Sequence, residues 1–174
     1  MNILQACLDP KVFGVVFSDK DTWSRWFAFL AALFSLDLTP HQLAVYQSCT
    51  RRQEPPTGHA YEAWLVCGRR AGKSFILALV AVFPAAFKDW RPYLGPGERG
   101  TIMIVAADRN QAHVIVRYVK ALLGGVPMLR QLIEAERQEG VDLNCRITIE
   151  VHTGFESGAA CPQIVLVYAQ LVGA

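Results

Sequence analysis

The sequence predicts an α/β fold in which helices flank an open parallel sheet, preceded by a small helical segment. Continuous apolar runs at residues 101–106 and 163–168 are typical of strands buried on both faces of a parallel sheet. Segments with helical periodicity alternate with these runs, as in other α/β folds. A glycine-containing turn that closes in Gly72-Lys73-Ser74 joins a further apolar run to a helix.

Composition narrows the class of protein. The 174 residues suffice for one domain with a small appendage. The chain is 52% hydrophobic, yet its longest apolar stretches, 26–36 and 75–87, are shorter than the roughly 18–20 residues that span a bilayer. No basic segment leads into an apolar one at the N-terminus, so we expect a cytoplasmic protein without membrane contacts. The net charge of +2 does not mark a nucleic-acid binder, and the five cysteines lack metal-site spacing.

The first part of the chain is predicted to be helical. A short helix is expected at residues 3–8, and a second, with Ser18 and Asp21 as cap residues, carries an aromatic stripe that we expect to pack in a core. Thr39 and Pro40 open a third helix that runs to about Thr50. Residues 53–59 form a linker rich in turn-forming residues. The predicted division is therefore a helical segment and linker at 1–59 and an α/β part at 60–174.

The turn before Phe75 has the layout of a phosphate-binding loop. Residues 63–66 are predicted to form a buried strand, and a helix follows the Gly-Lys-Ser close. Glycines let backbone amides approach phosphate oxygens, while the helix N-terminus favours negative charge. Lys73 would reach the β- and γ-phosphates, and the Ser74 hydroxyl would be a Mg²⁺ ligand. The predicted nucleotide-binding residues are Cys67, Gly68, Arg69, Arg70, Ala71, Gly72, Lys73, Ser74 and Phe75.

This motif departs from the common pattern at one position. Cys67 stands where the pattern G-x-x-x-x-G-K-[ST] has its first glycine, and Gly68 comes one residue later. The alternative interpretation is a Gly-Lys-Ser tripeptide that occurs by chance at the start of a helix.

The rest of the chain is predicted to alternate between helices and strands. A helix from about Lys73 to Lys88 should be kinked by Pro84 or end near Phe83. Asp108 should cap a long helix that stops at Gly124. The other predictions are a loop at 89–100, a helix at 126–139, a half-exposed strand at 146–153 and a central parallel strand at 163–168.

Several motifs together resemble the N-terminal ATPase domain of the large subunit of tailed-phage terminases, the motor that packages DNA into capsids. The resemblance covers about residues 38–153. It implies a P-loop NTPase fold, ATP and Mg²⁺ as cofactors, and double-stranded DNA, the portal and the small terminase subunit as partners. The motifs are Leu38-Thr39-Pro40, Tyr46-Gln47-Ser48-Cys49-Thr50, Trp64-Leu65-Val66-Cys67-Gly68-Arg69-Arg70-Ala71-Gly72-Lys73-Ser74, Arg91-Pro92-Tyr93-Leu94, Gly97-Glu98-Arg99, Ala106-Ala107-Asp108-Arg109, Gln111-Ala112 and Ile147-Thr148-Ile149-Glu150-Val151-His152-Thr153.

The resemblance also assigns roles to single residues. It implies that Arg69, with Arg70 as the alternative, swings onto the γ-phosphate and acts in catalysis together with Lys73. A guanidinium there would neutralise charge that develops in the transition state, whereas the alternative is a surface pair with a carboxylate. The family's adenine-reading segment corresponds to Gln42, Tyr46 or Gln47, although the apolar face of its helix favours a packing role for Tyr46.

The last part of the chain departs from the family. A hydrolysing motor needs an aspartate and a glutamate after the strand next to the phosphate loop, and Ala169-Gln170 stands there. We therefore expect impaired hydrolysis and interpret 154–174 as an atypical tail, left by a frameshift or by a cut within a larger divergent protein. An incomplete sheet would expose strand edges and favour self-association. The alternatives are a non-enzymatic prophage remnant or partner-binding fragment and, with less support, a small nucleotide kinase.

Overall fold

The chain forms two structural units. The computed structural model describes residues 1–58, 60, 62–68 and 70–153 and the backbone of 166–170. One unit comprises Met1–Arg69 and the other Arg70–Ala174. Within the described residues, none of the helices is both long and apolar enough to cross a bilayer.

The first unit contains three helices, α1 (Ile3–Leu8), α2 (Lys20–Leu33) and α3 (Pro40–Thr50). All three were predicted, and the N-cap of α3 was predicted with it. At α3 the Thr39 side chain accepts a hydrogen bond from the Gln42 amide, and the Gln42 side chain accepts one from the Thr39 amide. The cap of α2 is Asp19 rather than Ser18 or Asp21.

Aromatic packing makes the core of the first unit. Phe17 is almost fully buried, and its ring lies 4.9 Å from that of Trp23 and 5.6 Å from that of Phe27, both in α2. The prediction that these α2 aromatics pack in a core is confirmed. Cys7 in α1 is buried as well, and this burial raises the pKa of its thiol to about 12, which keeps it protonated.

The second unit is an α/β structure with a mixed open sheet. Strands β1 (Gly100–Ala106), β2 (Ile133–Glu136), β3 (Gly140–Leu143) and β4 (Ile147–Thr153) are arranged in the order β2-β3-β4-β1, and the backbone of β5 (Leu166–Gln170) lies beside β1 at the edge. The helices are α4 (Lys73–Phe87), α5 (Arg109–Gly124) and α6 (Pro127–Arg130), with a short 3-10 turn at Arg91–Tyr93.

The prediction of a purely parallel sheet is wrong. Only β1 and β4 pair in parallel, whereas β2 with β3, β3 with β4 and β1 with β5 pair antiparallel. The predicted central strand at 163–168 corresponds to β5, which lies at the edge; residues 163–165 lie outside the described part. Strand direction depends on pairing between distant segments, which an apolar run does not specify.

The predicted helix at 126–139 is also wrong. Only Pro127–Arg130 is helical, and Ile133–Glu136 is strand β2, paired with β3. Cross-strand hydrogen bonds with Gly140–Leu143 override the helical propensity of this segment.

The predicted helix from about Lys73 to Lys88 is confirmed as α4, which continues through Pro84 to Phe87 and does not end near Phe83. The carbonyl of Pro84 accepts hydrogen bonds from the Lys88 amide (3.3 Å) and from the Trp90 indole (2.8 Å). These contacts support the last helical turn, although the proline itself has no amide hydrogen to donate.

The apolar side chains of β1 and β4 lie under the helices. Ile102 and Ile104 in β1 and Ile149 and Val151 in β4 are all buried. The predicted apolar face of β4 is therefore confirmed. The strand was predicted to be half-exposed, yet Thr148 on its other face is also buried, and its hydroxyl donates to the buried Asp142 carboxylate at 2.8 Å. Asp142 in turn pairs with Arg137 at 2.6 Å.

Candidate functional site

The predicted phosphate loop is divided between the two units. The half-buried Cys67 and the exposed Gly68 belong to the first, and Arg70 to Phe75 belong to the second. Arg69, the preferred candidate for contact with the γ-phosphate, lies outside the described residues.

The strand predicted before the loop is not formed. Residues 63–66 have no regular secondary structure, and the side chains of Trp64 and Val66 are 79% and 99% exposed. The prediction of a buried strand here is wrong. A run of four residues becomes a strand only by pairing with another segment, and the composition of the run does not specify which segment that is.

The turn that leads into α4 contains two residues with left-handed backbone conformations. Arg70 and Gly72 both adopt left-handed backbone conformations, with φ of 61° and 85°. Gly72 is the N-cap of α4, and its carbonyl accepts the amides of Phe75 and Ile76, both at 3.1 Å. Glycine has no side chain, so no side-chain hydrogen bond caps α4.

The Gly-Lys-Ser close lies where the motif requires it. Lys73 and Ser74 are the first two residues of α4, and both are half-buried. Partial positive charge accumulates at a helix N-terminus, so an ammonium group and a hydroxyl at this place can together hold an oxyanion. Ala71 and Arg70 are exposed beside them.

The next residue, Phe75, contacts α5. Its ring lies 5.5 Å from that of Tyr118, with the ring planes at 85°. Tyr118 retains 38% of its surface exposure. This aromatic pair was not predicted, because the sequence does not show that residues 75 and 118 are neighbours.

Replacing Gly72 by alanine is expected to destabilise the second unit by about 1–2 kcal/mol, because a Cβ disfavours the left-handed conformation. Thermal unfolding measures the change. Gly68→Ala is the control, since a Cβ at Gly68 would meet no atom within 4 Å and its φ is not in the left-handed range. Equal melting temperatures for Gly72→Ala and Gly68→Ala would contradict the observed turn.

No metal site is formed by side chains alone in the described ranges: they contain no group of three His, Cys, Asp or Glu residues that could hold an ion. In the prediction, Ser74 would hold Mg²⁺ together with oxygens supplied by a nucleotide.

A separate pocket of about 110 Å³ lies at the carboxyl end of β4 and is lined by none of the loop residues. Arg109 and His113 contribute to it from α5, Glu139 from the β2–β3 turn and His152 from β4. The His152 ring also lies 3.0 Å from the Glu150 carboxylate. The sequence could not indicate this pocket, since the turn that carries Glu139 was predicted to be helical.

The residues for which the resemblance implies base recognition make structural contacts instead. Tyr46 is buried, as expected for packing. The Gln42 side chain belongs to the α3 cap, and the Gln47 side chain donates to the Gln53 carbonyl at 2.7 Å.

The positions where an acidic pair was sought lie at one end of β1. In the antiparallel register Ala169 pairs with Ile102 and Gln170 with Thr101, next to the first residue of the strand. The helix cap Asp108 follows the opposite end of β1.

Three comparisons with known proteins gave no match: no family model, no curated protein and no solved structure is significantly similar to this chain.

Proposed function

We propose that this chain is a nucleotide-binding module similar to the ATPase domain of a phage terminase large subunit, and that it binds Mg-ATP but hydrolyses it slowly or not at all. One observation carries the proposal: a left-handed glycine opens α4 directly before Lys73 and Ser74. Phosphate-binding loops place glycine, lysine and a hydroxyl residue at the start of a helix in this way.

The proposal assigns nucleotide binding to residues 67–75. It assigns no acidic pair to hydrolysis. Ala169 and Gln170 have no carboxylate to organise Mg²⁺ or position water. In this proposal the protein acts in the cytoplasm of a phage host. Double-stranded DNA, the portal and the small terminase subunit are the partners that the resemblance implies, and exposed sheet edges favour self-association.

Isothermal titration with a non-hydrolysable ATP analogue and Mg²⁺ tests the proposal. We expect saturable binding with one site per chain and weaker binding when Mg²⁺ is omitted, because the Ser74 hydroxyl holds the nucleotide through the metal. Absence of binding by folded protein would refute it.

One observation favours a second candidate, a partner-binding fragment without enzyme activity. The apolar side chains of Trp64, Leu65 and Val66 form a consecutive exposed run, and exposed apolar surface is typical of interaction sites. The same titration separates the two candidates, since a partner-binding fragment requires no nucleotide.

A further inference from the structure

Tyr118 is the aromatic side chain that the structure brings next to the first turn of α4. It lies within α5, where the neighbouring Ile115, Val119 and Leu122 are buried at 4% exposure or less. Tyr118 instead keeps more than a third of its surface exposed while its ring contacts Phe75. The tyrosine thus lies at the margin of the helix interface rather than inside it.

The position of Phe75 relates this pair to the proposed phosphate site. Phe75 directly follows Ser74, and consecutive residues rise by only about 1.5 Å along a helix. The aromatic pair therefore lies beside the turn that would hold the phosphates. A nucleotide whose phosphates lie at the N-terminus of α4 has its base linked to them through the ribose.

The geometry of the pair leaves aromatic surface available. The edge-to-face contact with Phe75 covers only part of the Tyr118 ring. With 38% of its surface exposed, Tyr118 keeps surface outside that contact that reaches solvent. Phe75 holds the ring from one side and so lowers the entropy lost when a base packs on it.

We propose that Tyr118, positioned by Phe75, stacks on the base of the bound nucleoside triphosphate. This inference rests on the proposed nucleotide-binding function and deepens it. Every base has a π-face, so stacking tolerates any base. The ligand class is therefore nucleoside triphosphates with weak base preference, and ATP, GTP and CTP should bind with affinities within about tenfold of one another.

The test compares two ligands that share phosphates but differ in the base. Wild type and Tyr118→Ala are titrated with Mg-ATP and with Mg-tripolyphosphate, which has no base. Loss of base stacking should weaken ATP binding by about 5- to 100-fold and leave tripolyphosphate binding unchanged. Tyr118→Phe retains an aromatic face and should bind ATP as wild type does.

Two controls make the comparison specific. Tyr93→Ala removes another exposed tyrosine of the same unit, away from the phosphate turn in sequence, and should alter neither affinity. If Tyr118→Ala does not melt cooperatively, Tyr118→Leu takes its place, because leucine can pack against Phe75 but provides no aromatic face.

The possible results separate the base-stacking proposal from the proposed nucleotide binding. Equal weakening of ATP and tripolyphosphate by Tyr118→Ala, or equal affinity of the wild type for both ligands, overturns the stacking while the phosphate site stands. Binding of neither ligand by the folded wild type overturns the proposed function and the stacking with it. A preference for ATP over GTP and CTP greater than about 100-fold overturns stacking as the main recognition of the base.

Discussion

Replacing Lys73 by alanine is expected to weaken Mg-ATP binding by about 10- to 100-fold. Hydrogen bonds to charged groups contribute about 1.5–3 kcal/mol, and each 1.4 kcal/mol is a factor of ten in affinity. Lys73 is the first residue of α4, where the helix dipole and its ammonium group would act on the same phosphate oxygens. Calorimetry with the non-hydrolysable analogue measures the loss.

The chain contains a matched control for this substitution. Lys20 is also the first residue of a helix, α2, and its side chain is exposed. Its helix is capped by the Asp19 side chain, whereas α4 begins at a glycine. Lys20→Ala should therefore leave the affinity unchanged, and an equal effect of the two substitutions, or none from Lys73→Ala, would refute a phosphate site at α4.

The wild-type protein is expected to release phosphate from Mg-ATP at least about 10³-fold more slowly than an intact packaging motor does. Positioned acid–base groups contribute factors of about 10²–10⁴ to enzyme rates, and phosphoryl transfer depends almost entirely on positioning and charge stabilisation. Ala169 and Gln170 supply neither a metal-organising nor a water-positioning carboxylate.

The register of β5 gives the same expectation from the backbone. Gln170 pairs with Thr101, the second residue of β1, and thus lies far along the strand from Asp108. In open α/β sheets, ligands bind outside the carboxyl ends of the parallel strands. Residues that pair with the amino end of β1 therefore lie at the opposite end of the strands from such a ligand site.

Steady-state phosphate release at saturating Mg-ATP measures this rate, and Lys73→Ala reports the background from contaminating enzymes. A wild-type rate equal to that background, together with analogue binding, is the expected result. Turnover at the rate of an intact motor would contradict the proposal and require a carboxylate other than residues 169 and 170 to organise Mg²⁺ and activate water.

Helices were predictable where their signals are local. Thr39-Pro40 specifies the start of α3, and Asp108 specifies the start of α5, because each cap side chain bonds an amide three residues away. The αL conformation at Gly72 is a local property as well, since glycine adopts it without a Cβ penalty.

Strand predictions failed where pairing decides the structure. Residues 63–66 are apolar and yet form no strand, whereas Ile133–Glu136 is polar at two of its four positions and forms β2. A strand exists only through hydrogen bonds to another segment, and the segment that pairs with it is chosen by the whole fold.

In the candidate site, too, features that depend on neighbouring residues could be predicted, whereas contacts between distant segments could not. The residues of the predicted phosphate loop follow from their order along the chain, because the motif places backbone amides, lysine and hydroxyl within a single turn. The Phe75–Tyr118 contact joins residues 43 positions apart, and the pocket beside His152 joins α5, β4 and the β2–β3 turn.

The sequence by itself therefore determined helices α1 to α5 and the caps of α3 and α5, since the hydrogen bonds that stabilise them connect residues within about four positions. Only the tertiary structure decided the strand directions, the edge position of β5 and the aromatic neighbour of the phosphate turn. These depend on bringing distant segments together, where loop-closure entropy and packing of the whole unit select one arrangement.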